Sequence, residues 1–178
     1  MDTELHVSYH AFGIIDDDLD WPLDPPPSGN GLIHPFRGGA FVSTGIHSGR
    51  IVVRTGAFDA APPVDAGHGW ESIVEVSVSS RRGKLRVRSY DDDPEGTTLS
   101  TAGRGSYRVR AYAAGRDTDI DGTSPLVETY RIEVWPAAAT TSLVLRAEDR
   151  YGEQVMREMS SDEPSDPRDG QAMNEPVF

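Results

Sequence analysis

The chain has 178 residues, no cysteine and a formal net charge of −12, from 29 acidic against 17 basic side chains. That length suffices for one domain that buries roughly 68–70% of its unfolded surface, and the lack of cysteine excludes disulfides and thiolate metal centres. No apolar run reaches the length of a membrane-spanning helix, and the acidic start at Asp2 and Glu4 lacks the basic and apolar segments of a leader, so a cytoplasmic domain without membrane contact is expected.

From residue 4 to residue 15, Leu5, Val7, Tyr9, Ala11 and Ile15 alternate with His6, Ser8 and His10, the two-residue period of a half-buried strand. Residues 16–31 read as a long connection. In it Asp16, Asp17, Asp18 and Asp20 precede Trp21, and Pro22, Pro25, Pro26, Pro27, Gly29 and Gly31 deny the backbone both helix and central-strand pairing. Further strands are expected at 40–44, 50–55, 70–79, 84–90, 106–113, 126–135 and 142–146, separated by turns built on Gly45, Pro62, Gly83, Pro94, Gly103 and Gly122. Short strands with β-branched and aromatic alternation predict an all-β fold, an antiparallel β-sandwich of jelly-roll-like or immunoglobulin-like type over residues 1–159. A helical turn is read only near 151–159. Residues 160–178 carry too little apolar mass to offset the entropy of ordering them and are expected to form a disordered acidic tail.

Charge is distributed unevenly along these elements. Residues 1–36 carry seven acids and no base, residues 37–146 carry 13 acids against 14 bases, and residues 147–178 carry nine against three, so the acidity sits at the two ends. Within the middle segment Arg81, Arg82, Lys84, Arg86 and Arg88 make a basic stripe with Arg108 and Arg110. Glu71, Glu75 and Glu133 are available as cross-strand partners and no aromatic platform interleaves the arginines. A self-neutralised sheet face is therefore expected in preference to a nucleic-acid surface.

One motif matches a metal template. Asp117, Asp119, Asp121, Gly122 and Glu128 fit the calcium-loop spacing, in which alternate carboxylates and a closing glutamate wrap a hard cation. Flanking segments that read as strands, with Ser124 and Pro125 inside the loop, favour a solvated hairpin loop instead. His6, His10, His34, His47 and His68 show no metal-ligand or catalytic spacing, and no nucleophile elbow or phosphate loop is present, so neither catalysis nor a required cofactor is expected.

Glu4, Leu5, Ser8, Tyr9, His10 and Phe12, followed by the Asp20-Trp21 pair, resemble the opening of the competence protein J family, whose founding member inhibits a competence-associated DNA-entry nuclease. Weaker echoes lie at Gly105, Tyr107 and Arg108 and at Glu128, Tyr130 and Ile132. The likeness covers about a third of the chain. It implies a small β-rich protein that blocks a nuclease by direct contact and brings no catalytic residues with it. Joined to the charge pattern, it makes Asp16, Asp17, Asp18, Asp20 and Trp21 the expected partner-binding residues, the acids substituting for phosphates and Trp21 serving as an anchor. Two other classes follow from other features: a scaffold that pairs through a sheet edge and the tail, and a calcium-dependent binding module using Asp117, Asp119, Asp121 and Glu128.

Overall fold

The alternating sequence folds into strands that share one core. The computed structural model describes residues 2–17, 19–21, 28–67, 69–90 and 96–161; Asp18, His68, the expected turn at 93–95 and the expected tail beyond 161 lie outside them. The strands are β1 (Asp2–Val7), β2 (Ala11–Asp16), β3 (Ile33–Phe36), β4 (Gly39–Ser43), β5 (Gly49–Ala57), β6 (Ser72–Ser80), β7 (Leu85–Arg88), β8 (Gly105–Ala114), β9 (Thr129–Pro136) and β10 (Leu143–Ala147), followed by helix α1 (Arg150–Ser161). Six strands form one sheet in the order β1-β5-β9-β8-β6-β10, and four form a second in the order β3-β4-β2-β7. Inward residues of the large sheet, such as Val74, Val76, Val109 and Ile132, meet Phe12, Ile14, Val42 and Leu85 of the small one.

This is the expected β-rich architecture, with four differences. Pairing is not wholly antiparallel, because β5 runs parallel to β9 from Val52 opposite Thr129 to Ala57 opposite Val134. The run at 4–15 is two strands, broken where Tyr9 and His10 take left-handed φ values of 56° and 59°. The break shifts the alternation, so that Leu5 and Val7 point into the core before it and Phe12 and Ile14 after it. β3 lies outside the expected strands; it is an edge strand, where the N–H that Pro35 lacks costs no central ladder bond. Finally, α1 continues through Ser161, so the first residues assigned to the tail are helical.

The outer face of the large sheet is self-neutralised where Arg108 and Arg110 lie. Glu75 stands directly opposite Arg110, which stands directly opposite Glu133. Arg108 Nε is 3.1 Å and Arg110 Nε 2.7 Å from Glu75, and Arg110 Nη1 is 2.9 Å from Glu133. Arg110 also donates to the Pro62 carbonyl and stacks over Trp135, so the network is buried beneath the segment that follows β5. Glu71 has a different task, accepting the Gly115 N–H at 2.8 Å.

Candidate functional site

The chain passes from one sheet to the other at Tyr9 and His10. Left-handed backbone costs a bulky residue of the order of 1–3 kcal/mol, and the surroundings hold it in place. The His10 N–H donates to the His47 carbonyl at 3.0 Å, and the Thr44 N–H donates to the His10 carbonyl at 2.8 Å. On the ring, Nδ1 is 3.2 Å from the Thr44 carbonyl and Nε2 is 3.1 Å from Asp121 Oδ1. Asp121 has a left-handed φ of 62°, its N–H donating to the Gly45 carbonyl, while the His47 N–H reaches the Gly122 carbonyl. One histidine therefore ties together the corner, the turn before β5 and the loop between β8 and β9.

The fixed backbone turns Tyr9 outward, leaving it 68% exposed. Its ring meets Tyr90 edge-on at 5.4 Å and His47 at 5.8 Å; Tyr90 in turn meets Trp21 at 5.7 Å, and Trp21 packs on Phe41 at 4.8 Å. These centroid distances are those of favourable aromatic pairs, so Tyr9, Tyr90 and Trp21 form a stiff ridge.

Beside the ridge a cleft of about 460 Å³ opens toward α1, lined among others by His10, His34, Ser43, Asp121, Tyr151 and Glu158. His34 lies in its wall with Nδ1 2.7 Å from Ser28 Oγ and Nε2 2.9 Å from Ser43 Oγ. Burial, then the positive charge of Arg116, pulls the His34 pKa from 6.5 to about 4, so the ring is neutral at pH 7. A base that weak takes a proton from Ser43 poorly at neutral pH. Burial likewise pushes the Tyr151 phenol up, keeping it protonated.

The residues expected to bind a partner are separated by the fold. Asp16 is fully buried and accepts hydrogen bonds from Ser80 Oγ and from the N–H groups of Arg81, Arg82 and Lys84, so it holds the turn between β6 and β7 and has no surface to offer. Asp17 is mostly covered, 3.6 Å from Arg86 Nε. Asp18 lies outside the described residues. Asp20 is exposed, and Trp21 is the half-buried member of the aromatic ridge. Tyr9, His47 and Tyr90 are the site residues that sequence reasoning left unassigned. For Tyr9 the available signal was its place beside His10 in the opening motif.

The four acids of the calcium spacing are put to separate uses. Asp117 accepts the N–H groups of Arg150 and Tyr151 at 3.0 and 2.9 Å, Asp119 accepts that of Ser124 at 2.9 Å, and Asp121 faces His10. Glu128 is buried in the core, taking the Ile46 N–H at 2.7 Å and the Tyr130 hydroxyl at 2.6 Å. Burial raises its pKa against the pull of those donors. Among the described residues no three His, Asp or Glu side chains converge as metal ligands.

The fold and the corner together define a β-rich two-sheet protein whose exposed aromatic residues gather where the sheets exchange strands. Neither a family model nor a curated protein matches the chain. Among solved structures it is similar to ComJ from Bacillus subtilis, the inhibitor of the DNA-degrading activity of NucA, with a TM-score of 0.54 and 16% identity over 77% of this chain and 96% of that one. It also aligns with the crocagin biosynthetic gene J product at a TM-score of 0.43 and 12% identity over the same shares. The resemblance read from the opening residues is thereby met at the level of the fold.

Proposed function

We propose that this chain is a protein-binding module that inhibits a nuclease by direct contact, using the ridge of Tyr9, Tyr90 and Trp21 with Asp20 and Asp121 at its rim. The carrying observation is Tyr9, a large ring exposed on a backbone held left-handed, which loses little freedom on docking and suits a central anchor. Exposed acids beside such an anchor complement a cleft that normally receives phosphates, speeding encounter and disfavouring partners of the wrong charge. The fold of ComJ, an inhibitor, supports the class. The test is degradation of duplex DNA by NucA, and by a nuclease encoded beside this chain's own reading frame, with and without the purified protein. A stoichiometric block is expected, and Tyr9→Ala should weaken it by roughly thirtyfold, the value of a hot-spot side chain worth about 2 kcal/mol. Undiminished degradation at a large excess of protein overturns the proposal.

A second reading rests on β10. This edge strand leaves Leu143, Val144 and Leu145 exposed, so a scaffold could recruit an added strand there. Strand addition resists salt, whereas contact at the acidic rim weakens with it. Val144→Lys abolishes the complex only under the second reading.

A further inference from the structure

We propose that the end of β2 remote from Tyr9 and His10 holds a phosphate ester. β2 runs from the corner to Asp16, where the buried carboxylate gathers Ser80 Oγ and the N–H groups of Arg81, Arg82 and Lys84 at 2.6, 2.5, 2.9 and 3.0 Å. These bonds fix the turn between β6 and β7. Gly83, at a φ of 74°, lets this turn close on the one before β8, since a Cβ there would lie 2.8 Å from the Gly103 carbonyl carbon. The two turns set Arg81, Arg82 and Arg104 around a cleft of about 350 Å³ completed by Leu19 and Asp16.

These arginines differ from most of the others. Nine other described arginines form ion pairs with carboxylates. The side chains of Arg81, Arg82 and Arg104 are exposed and have no such partner among the described residues. Lys84 and Arg37 stand at the same end, Arg37 on the turn whose Gly38 carbonyl receives the Asp16 N–H at 3.0 Å. The one carboxylate among the described residues of the cleft wall, Asp16, is fully buried and accepts from four donors, so guanidinium groups present the open side.

Planar guanidinium forks match phosphate oxygens in pairs, and three of them with no acid partner among the described residues favour a multiply charged anion. No aromatic ring among the described residues lines the cleft, which favours a grip on the phosphate over one on a base. Its size suits a single phosphate with its sugar, and the acidity of the chain as a whole opposes a long polyanion. A mononucleotide-sized ester is the ligand these features favour, with a phosphate of a single strand as the other source of the same chemistry.

The experiment is calorimetric titration of the full chain with inorganic phosphate, deoxyadenosine monophosphate and a short single-stranded oligonucleotide. Binding of phosphate or the monophosphate is expected, weakened by roughly tenfold or more in Arg81→Gln/Arg104→Gln and unchanged in Arg54→Gln, whose arginine pairs with Asp2 on an exposed edge. An oligonucleotide that binds more than about tenfold tighter than the monophosphate, with an affinity falling steeply with salt, assigns the phosphate to a nucleic-acid strand; a smaller difference assigns it to the small ester. No heat with any of the three, or the same heat from the double variant, overturns the proposal. None of these readouts involves nuclease inhibition.

Discussion

His34 gives the stability of the fold a pH dependence with a definite sign. Its pKa is about 4 in the fold because of burial and then of Arg116, against an ordinary value of 6.5. Between these values the unfolded chain takes up a proton that the fold refuses, so the contribution is fully present above pH 6.5 and is lost as pH falls toward 4. A lowering of this size corresponds to roughly 3 kcal/mol. His34→Gln keeps a donor and an acceptor between Ser28 and Ser43 and should flatten the fall in melting temperature over that window; an unaltered slope would place the effect elsewhere. Glu75 acts through pairing instead. Glu75→Ala leaves Arg108 and buried Arg110 without their shared carboxylate, and the urea midpoint should report a loss of roughly 3–5 kcal/mol, the cost of breaking a buried pair from one side.

At the scale of elements, α1 is fixed to the sheets by two aspartates. Asp149 precedes the helix and accepts the Gly152 N–H at 3.2 Å with Oδ1, while Oδ2 is 2.6 Å from Nε of fully buried Arg116. Asp117 takes the N–H groups of Arg150 and Tyr151; burial opposes its charge, but those donors hold its carboxyl below the usual value. Asp117→Ala should therefore cost about 1 kcal/mol, read as a lower melting temperature with fraying of α1 in hydrogen exchange. Because its carboxylates serve separate structures, the 117–128 loop should give no heat and no melting shift with millimolar calcium; a shift of several degrees would restore the metal reading. That loop shows what a sequence can and cannot convey. Alternation made seven of the ten strands legible outright, because it reflects which side chains face water and which face the core. The spacing of Asp117, Asp119, Asp121 and Glu128 reads the same whether the carboxylates converge or cap a helix and fill a core. The difference depends on α1 and β9 packing around the loop, contacts remote in sequence. The same holds for Asp16: the first acid of an Asp run looks solvated in sequence, and only the β6–β7 turn that closes over it buries it.

At the scale of the whole molecule, the two ends of β2 differ in exposed charge. Asp121 and Glu158 line the cleft beside the aromatic corner, while Arg37, Arg81, Arg82, Lys84 and Arg104 stand at the far end of β2 without an ion-pair partner among the described residues. A basic partner approaching such a body is drawn toward the corner and repelled from the other end, so the charges act on orientation before any contact forms. This steering belongs to the encounter and is screened over about 8 Å at physiological salt. On the proposed reading, the ridge of Tyr9, Tyr90 and Trp21 would act only after contact and govern dissociation. Stopped-flow association with an inhibited nuclease should therefore slow by roughly tenfold as salt rises from about 50 to 300 mM, with little change in the dissociation rate. Tyr9→Ala should do the reverse, raising the dissociation rate and leaving the salt slope intact. Arg81→Glu/Arg104→Glu should speed association without touching dissociation, because it removes repulsion at a surface the partner never meets. If that variant instead speeds dissociation, the basic end lies inside the interface, and the assignment of contact to the corner is wrong.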